Sequence, residues 1–274
     1  MRIPILTYHG VGVDGNDYAS NDHIGLKTDL ERLHAEGFRV ISLEQIARAL
    51  ILGTLDQLPA RALAITFDDG SGFDFFDLEH PAFGPQRSLL NILRDFQQQF
   101  GIEAQPGLHA TNFAIVSPDA RQVLDRTCLI GQGWWGDDWW APANDEGLMS
   151  IANHSWDHRH GTLPESMQFS PGYGQFKELS GIEECDWQVR QAQQYLQDRL
   201  GQPPLPIFAY PYGEVAPLLA DDYLPQQAQS LGLLAAVTGE PAPVTTDVDC
   251  WRIPRYIFRR DWSEPDELLR VLHD

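Results

Sequence analysis

The stretch Ala62-Leu63-Ala64-Ile65-Thr66-Phe67-Asp68-Asp69-Gly70 decides how this chain is organised. Its large apolar side chains, from Leu63 to Phe67, fall at alternate positions, which predicts a strand with a buried face. Two adjacent carboxylates and a glycine follow at the expected end of the strand. The alternation of side chains relaxes where a strand runs into a loop, so Asp68 and Asp69 can face one pocket and perform different chemistry. An ordinary Asp-Gly turn has the same local sequence, so a functional interpretation depends on a second cluster downstream.

Strand-like and helix-like segments alternate along the remainder of the chain. Apolar runs predict strands at 3–8, 38–43, 109–116, 149–152, 206–210, 233–238 and 252–258. Helical spacing predicts helices around 26–33, 46–50, 89–100, 182–200, 218–231 and 268–272. No hairpin signal separates the strands. The pattern therefore predicts one α/β domain over 1–274, whose parallel sheet is closed or nearly closed into a barrel.

The polar motifs fall at the predicted ends of these strands. They are His9, the Asp68-Asp69 pair, His154 and the stretch Tyr210-Pro211-Tyr212. In barrels of parallel strands, catalytic groups lie at the C-terminal ends of the strands. We therefore expect these residues to meet in one site.

His154 and His158 are four residues apart, inside the stretch Asn153-His154-Ser155-Trp156-Asp157-His158. On a helical turn this spacing places both imidazoles on one side. Two histidines and one carboxylate form a common catalytic zinc site, in which zinc lowers the pKa of bound water to roughly 7. A neighbouring carboxylate outside the ligand set can accept the proton. A lone pair of histidines is more often structural, but this pair follows an Asp-Asp strand end in the same chain.

Charge and cysteine content argue against some classes of partner and some kinds of site. The net charge of −20 argues against nucleic acid or an anionic membrane as the main partner, because both are polyanions. The three cysteines, Cys128, Cys185 and Cys250, are far apart and predict buried, reduced thiols rather than a disulfide framework or a thiolate zinc site. No signal peptide or membrane span is evident, which predicts a cytoplasmic protein as given, or a periplasmic or secreted one if a signal peptide has been removed. The sequence makes no prediction of the oligomeric state.

These motifs resemble those of the polysaccharide deacetylase family, the family 4 carbohydrate esterases with a NodB homology domain. Thr66-Phe67-Asp68-Asp69-Gly70 resembles the first family motif, His154-Ser155-x-x-His158 the second, and Phe208-Ala209-Tyr210-Pro211-Tyr212-Gly213 the third. Ile5-Leu6-Thr7-Tyr8-His9 is similar to the opening strand of the poly-N-acetylglucosamine deacetylase subgroup, and Ala110-Thr111-x-Phe113 to the strand after the first motif. The resemblance covers nearly the whole chain. It implies a distorted (β/α)7 barrel, a variant of the TIM barrel.

The resemblance also implies a role for each motif residue. Asp69, His154 and His158 would hold a divalent metal, with zinc as the expected ion. Asp68 would be the general base, and the backbone N–H of Tyr212 would help hold the tetrahedral oxyanion. The implied reaction is metal-dependent hydrolysis of N-acetyl groups from an N-acetylglucosamine-containing glycan, with release of acetate.

Two positions depart from the family pattern. Ala209 stands where many members carry an arginine that orients the base, and either Arg252 or Arg255 could supply that charge instead. The family's late histidine, a general acid, has no good counterpart, because His273 lies one residue from the C-terminus. The general acid is therefore left unassigned.

Further residues are expected around the site. Four tryptophans occur between 134 and 140, and tryptophan faces stack on pyranose rings, so we expect at least one of them near the cleft, with Trp139 and Trp140 as the candidates. The alternative is that they bury themselves as the anchor of a lid. His9 and Pro211 are expected to support the site rather than bind the metal.

Two other functions stay open at this point. The same fold could instead hydrolyse a small amide or a cyclic ureide, with or without a metal, and the lack of an evident secretion signal favours this alternative. The tryptophan-rich loop could instead belong to a glycan-binding module without catalytic activity. This third possibility is the weakest, because both the ligand set and the base are intact.

Overall fold

Ten strands occur in the computed structural model, which describes residues 1–273. They are β1 (Ile5–His9), β2 (Arg39–Val40), β3 (Ala62–Asp69), β4 (Leu78–His80), β5 (Gly84–Gln86), β6 (Ala110–Ala114), β7 (Met149–Asn153), β8 (Ile207–Ala209), β9 (Ala235–Val237) and β10 (Tyr256–Ile257). Eight of them form one sheet with the order β10-β1-β3-β6-β7-β8-β9, and β2 pairs with β3. Every pairing in this sheet is parallel.

Helices connect the strands on the pattern that the sequence predicts. They are α1 (Asp22–Ala35), α2 (Leu43–Leu52), α3 (Leu89–Phe100), α4 (Pro118–Thr127), α5 (Trp140–Asp145), α6 (Ile182–Cys185), α7 (Gln191–Leu200), α8 (Leu224–Leu231) and α9 (Pro265–His273). A π-helical stretch, Asp186–Arg190, joins α6 to α7, and another, Leu219–Tyr223, precedes α8. Among residues 1–273, no helix has both the length and the apolar character needed to cross a membrane.

The sheet curls into a half-barrel, so the predicted α/β barrel class is confirmed. An isolated parallel bridge between Val237 and Ile253 connects β9 to the segment just before β10, and β10 pairs with β1. Because all these strands run the same way, their C-terminal ends meet at one edge of the half-barrel. The polar motifs are carried to this edge.

Apolar side chains on the two faces of the strands contribute to different clusters. Leu6 and Ile65 pack with Leu26 and Leu30 of α1 in the layer between sheet and helices. Residues at alternate strand positions, including Phe113, contribute to a second cluster. Burying each of these large side chains stabilises the fold by roughly 1.5–3 kcal/mol, and this holds the strand ends in a fixed relation.

Several local predictions need correction. The loop after β3 contains an antiparallel hairpin, β4 with β5, although no hairpin was expected from the sequence. The stretch after β6 includes two helices, α4 and α5, which are not among the helices predicted from the sequence. Helix α4 begins with a serine cap, in which Ser117 Oγ accepts the N–H of Ala120 at 3.2 Å, followed by Pro118. Helix α2 begins with a capping box formed by Ser42 and Gln45.

Candidate active site

Strand β3 delivers both aspartates to the barrel edge. Asp68 is paired in register with His9 of β1, and Asp69 with Ala114 of β6. Asp69 adopts a left-handed backbone with φ of 78°, and Gly70 follows with φ of 70°. A left-handed aspartate is uncommon, and it turns the chain so that consecutive carboxylates both line the same cavity. The relaxed alternation expected at this strand end is therefore present.

The two histidines come from the loop after β7. Their spacing suggested a helical turn, but the loop does not form one. Ser155 and His158 have positive φ values of 71° and 60°. Ser155 Oγ accepts the backbone N–H of His158 at 2.9 Å, and Asn153 Oδ1 accepts the N–H of Ser155 at 2.8 Å. This compact turn brings the imidazoles of His154 and His158 to a centroid distance of 4.9 Å.

Asp69, His154 and His158 present ligand atoms that converge on one point. Nε2 of His154 lies 3.7 Å from Oδ1 of Asp69, and Nε2 of His158 lies 3.9 Å from the same oxygen. All three atoms lie within 4.8 Å of one another. These separations exceed a hydrogen bond and leave space for an ion between the three atoms. Two imidazole nitrogens and one carboxylate oxygen are a donor set that zinc accepts, so the residues fit a divalent metal.

A hydrogen bond from His154 and the burial of both rings keep the imidazoles in the ligand form. Nδ1 of His154 lies 3.0 Å from the carbonyl oxygen of Ala209, so Nδ1 donates and Nε2 has its lone pair free. Burial lowers the pKa of His154. Burial, reinforced by the neighbouring His154, holds the pKa of His158 well below its usual value. Neutral imidazoles are the species that bind metal.

Asp68 has a different partner from Asp69. Both of its oxygens accept from the guanidinium of Arg255, at 2.8 Å each. Arg255 is fully buried and also donates to Thr238 O and Thr66 Oγ1, at 3.0 and 3.2 Å. Burial raises the pKa of Asp68, but the charge and hydrogen bonds of Arg255, together with the nearby His154 and His9, outweigh that burial and bring the pKa to about 2. Asp68 is therefore an ionised carboxylate, held in one orientation by a two-pronged ion pair.

The structure distinguishes the two arginines that the sequence offered. Arg255, just before β10, contacts Asp68, whereas Arg252 lies near the surface and pairs with Asp221 and Asp249. Of the two candidates, Arg255 is therefore the arginine that places a positive charge against Asp68.

A cavity of about 380 Å³ opens above these groups, and we call it the strand-end cavity. It is lined by His9, Val11, Asp68, Asp69, Ile115, Leu124, Cys128, Trp135, His154, His158, His160, Tyr212, Gly213, Ile257 and Arg260. Tyr212 has a left-handed φ of 58°, and its ring centroid lies 4.4 Å from that of His158. Pro211 begins the same short 3₁₀ turn and is buried behind it. The cavity thus collects the motif residues of four strands.

Trp139 and Trp140 do not face this cavity, contrary to expectation. Both are buried in the cluster between the sheet and the helices, where Trp139 stacks on Phe75 at 5.7 Å and the guanidinium of Arg121 lies over Trp140 at 4.7 Å. Their rings anchor the loop from inside. They cannot stack on a sugar while buried, so the alternative of a lid anchor describes them better.

One of the four tryptophans does lie at the cavity, as expected, but it is Trp135 rather than either candidate, and His160 was not expected there. Trp135, from the same tryptophan-rich stretch, lines the cavity, and its Nε1 donates to the carbonyl oxygen of Asp69 at 3.0 Å. His160 lies two residues beyond His158, with 5.8 Å between the ring centroids. The spacing His-x-x-x-His-x-His would have pointed to His160, but nothing in the sequence separates Trp135 from its neighbours.

Other residues considered in the sequence analysis lie away from the Asp69, His154 and His158 cluster. His273 is exposed at the end of α9 beside Phe38 and is not part of the strand-end cavity. Only Cys185 is buried, since Cys250 is half-buried and Cys128 is exposed at the cavity wall. All three cysteines are free, as predicted.

Comparison with solved structures finds proteins that share this fold over almost their whole length. The deacetylase PplD from Streptococcus pyogenes, solved in complex with acetate, is 20% identical, covers 99% of this chain and 98% of its own, and has a TM-score of 0.65. IcaB from Ammonifex degensii is 19% identical, with a TM-score of 0.65, and covers 100% of this chain and 97% of its own. The deacetylase domain of BpsB from Bordetella bronchiseptica is 20% identical, with a TM-score of 0.59, and covers 93% and 95%.

The sequence itself also identifies a family. No curated protein matches this chain. The sequence model described as polysaccharide deacetylase, however, matches residues 56–236, which span both β3 with its aspartates and the loop with the two histidines. The chain therefore belongs to the polysaccharide deacetylase family.

Proposed function

We propose that this protein is a metal-dependent deacetylase that hydrolyses N-acetyl groups of an N-acetylglucosamine-containing glycan and releases acetate. The observation that carries the proposal is the division of labour between adjacent carboxylates. Asp69 faces two neutral imidazoles, and Asp68 faces a buried arginine. One carboxylate is thus equipped as a ligand and the other as a base.

Asp69, His154 and His158 would hold the metal, and zinc is our proposed ion. When bound, a divalent ion at such a site acts as a Lewis acid toward an acyl oxygen and makes water more acidic. The three ligands are positioned by a strand end and a tight turn, whose hydrogen bonds fix them relative to one another. This preorganisation favours binding, because little chain entropy is lost when the ion enters.

Asp68 would accept the proton of the attacking water. Its carboxylate is ionised at neutral pH and fixed by Arg255, and it lines the cavity beside Asp69. General base catalysis by a positioned side chain typically contributes 10²–10⁴-fold to the rate. Arg255 does not line the cavity, so it is a positioning residue that orients the base.

Tyr212 would stabilise the oxyanion through its backbone N–H. The left-handed turn at this residue changes the chain direction directly above His158 and places Tyr212 on the cavity wall. Losing one such donor typically lowers the rate by 10²–10³-fold.

The size and walls of the cavity support a sugar ring as the reacting group. A volume of about 380 Å³ lies in the lower part of the range for small-molecule sites. Its walls combine aromatic rings, from Trp135 and Tyr212, with the polar strand ends. Aromatic rings that line a site offer flat apolar surface to the faces of a pyranose.

The test is a comparison of products from purified protein. Incubation with N-acetylglucosamine oligomers should release acetate, and incubation with small amides or cyclic ureides should release no ammonia and open no ring. The reverse result would replace the glycan with a small amide as substrate. Tight oligomer binding with no product of either kind, in added zinc, would support a non-catalytic glycan-binding module.

A further inference from the structure

A second concave region lies along the helical segment 182–200 and shares no lining residue with the strand-end cavity. It has a volume of about 700 Å³. Its aromatic lining consists of Trp156, Phe169, Trp187 and Tyr195, and we call it the aromatic groove.

The rings of the aromatic groove form a continuous surface that is partly open to solvent. Phe169 stacks on Trp187 with centroids 5.1 Å apart and 20° between the planes. Trp156 makes edge contacts to Trp187 and to Tyr195, each at 5.8 Å. Phe169 is 44% exposed, and the other three rings are only partly buried. Fixed, exposed ring faces of this kind suit the apolar faces of sugar rings.

Carboxylates border the same groove. Glu183 and Asp198 are exposed, and neither forms an ion pair within residues 1–273. The arginine of the groove, Arg190, is already bound to Asp186 at 2.7 Å. The groove therefore carries a surplus of negative charge beside aromatic rings, which favours a cationic ligand through both Coulomb attraction and cation–π contact.

The aromatic groove is tied to the loop that carries the metal ligands. The backbone N–H of Trp156, which lies between His154 and His158 in sequence, donates to Gln188 O at 2.8 Å. Asp157 accepts from Gln188 Nε2 at 2.7 Å and from Tyr173 O–H at 2.6 Å. A glycan held in the groove would thus lie against the loop that forms one wall of the strand-end cavity.

We propose that the aromatic groove binds glucosamine units of a partly deacetylated glycan and retains the chain during successive reactions. The inference rests on the proposed function, because hydrolysis of an acetamide converts a neutral sugar into one with a primary ammonium group. The substrate is neutral and the product is cationic. An acidic aromatic groove distinguishes the two, whereas the aromatic rings alone would not.

The test uses the full chain with Asp68→Asn, so that the oligomers are not altered during the measurement. Binding of a glucosamine pentasaccharide and of its fully N-acetylated counterpart is measured by titration calorimetry at low and high salt. We expect the glucosamine oligomer to bind more tightly, with the difference shrinking at high salt. Glu183→Gln combined with Asp198→Asn should weaken its binding about three- to tenfold, since each exposed ion pair contributes modestly.

The matched control is Asp56→Asn combined with Glu103→Gln, which removes two exposed carboxylates away from both regions and should leave the affinity at the Asp68→Asn value. Trp187→Ala, with its fold checked by circular dichroism, should weaken binding about three- to fivefold. Equal affinity for both oligomers would overturn the proposal. So would an equal loss of affinity for the glucosamine oligomer in the groove double variant and in the control double variant. Acetate release by the wild type is measured separately, so an inactive enzyme would refute the proposed function without deciding whether the groove binds glucosamine.

Discussion

The strand-end cavity and the aromatic groove use similar residue types in opposite ways. Both combine aromatic rings with carboxylates. In the strand-end cavity Asp68 is buried and bound to Arg255, and Asp69 faces two buried imidazoles. In the aromatic groove Glu183 and Asp198 are exposed and have no ion-pair partner within residues 1–273. A buried carboxylate with a fixed partner has the defined protonation state and orientation that catalysis requires. An exposed, unpaired carboxylate is suited to weak electrostatic attraction of a charged ligand.

The comparison predicts that substitutions in the strand-end cavity have far larger effects than substitutions in the groove. The largest is expected for Asp68→Asn, which keeps the shape of the side chain but removes the base. Acetate release should fall by roughly 10²–10⁴-fold. Metal content, measured on the same preparation, is the control, because the ligand set is intact. A loss of less than tenfold would mean that another group accepts the proton.

Replacing Arg255 with alanine should give the next largest effect. Burial raises the pKa of Asp68, and without the opposing guanidinium the pKa rises from about 2. The ionised form of Asp68, which acts as the base, disappears as the pH falls through its pKa. Raising that pKa therefore moves the loss of activity to higher pH. We expect kcat/KM to fall about a hundredfold, because a positioned base contributes roughly 10²–10⁴-fold and Asp68 loses the contact that positions it. The acid limb of the pH–rate profile should shift to higher pH.

Arg252→Ala provides the matched control for this prediction. Arg252 is paired with Asp221 and Asp249 near the surface, so its removal should leave the acid limb at the wild-type position. Arg255→Lys keeps the charge but not the two-pronged contact. Its kcat/KM and the position of its acid limb should lie between those of the wild type and of Arg255→Ala. Identical profiles for the Arg252 and Arg255 variants would contradict the account.

A smaller effect is expected at Trp135, which supports a ligand residue through the backbone. Trp135→Phe keeps an aromatic wall but removes the hydrogen bond from Nε1 to Asp69 O. A hydrogen bond of this type is worth about 1 kcal/mol, so kcat/KM should fall about fivefold. Steady-state kinetics of acetate release measure it. A loss as large as that of Asp68→Asn would assign Trp135 a direct role in the reaction.

The smallest effect is expected in the aromatic groove. Trp187→Ala should raise KM about threefold for long, partly deacetylated chains, because one exposed stacking surface is lost. The same variant assayed on a single-sugar substrate gives the reference, since such a substrate is too short to reach the groove. A change in kcat of a hundredfold would erase the distinction between the two regions.

The sequence predicts the strand ends well because local signals decide them. Alternating apolar residues identify β3, and burial against α1 and the other helices fixes its register. The histidine spacing and the family resemblance therefore pointed to Asp69, His154 and His158 as the candidate metal ligands, and the structure brings these three residues together. Their backbone conformation was not predictable, because the left-handed turns at Ser155 and His158 depend on side-chain hydrogen bonds that no periodicity reports.

Long-range contacts explain the remaining differences. Arg252 and Arg255 look alike in sequence, and only the pairing of β10 with β1, next to β3, places Arg255 against Asp68. The tryptophans show the same limit. Trp135 and Trp139 are four residues apart, yet one lines the cavity and the other is buried beside Phe75. Which ring reaches the site depends on how the loop folds back on the barrel edge.

The central claim is that Asp69, His154 and His158 bind a divalent metal that the deacetylase needs. Elemental analysis of purified wild type and of His158→Gln, with acetate release before and after chelation, tests it most directly. We expect about one metal ion per wild-type chain, at least a tenfold lower content in the variant, and activity that chelation abolishes and zinc restores. A metal-free wild type that releases acetate at full rate in the presence of chelator would contradict the claim.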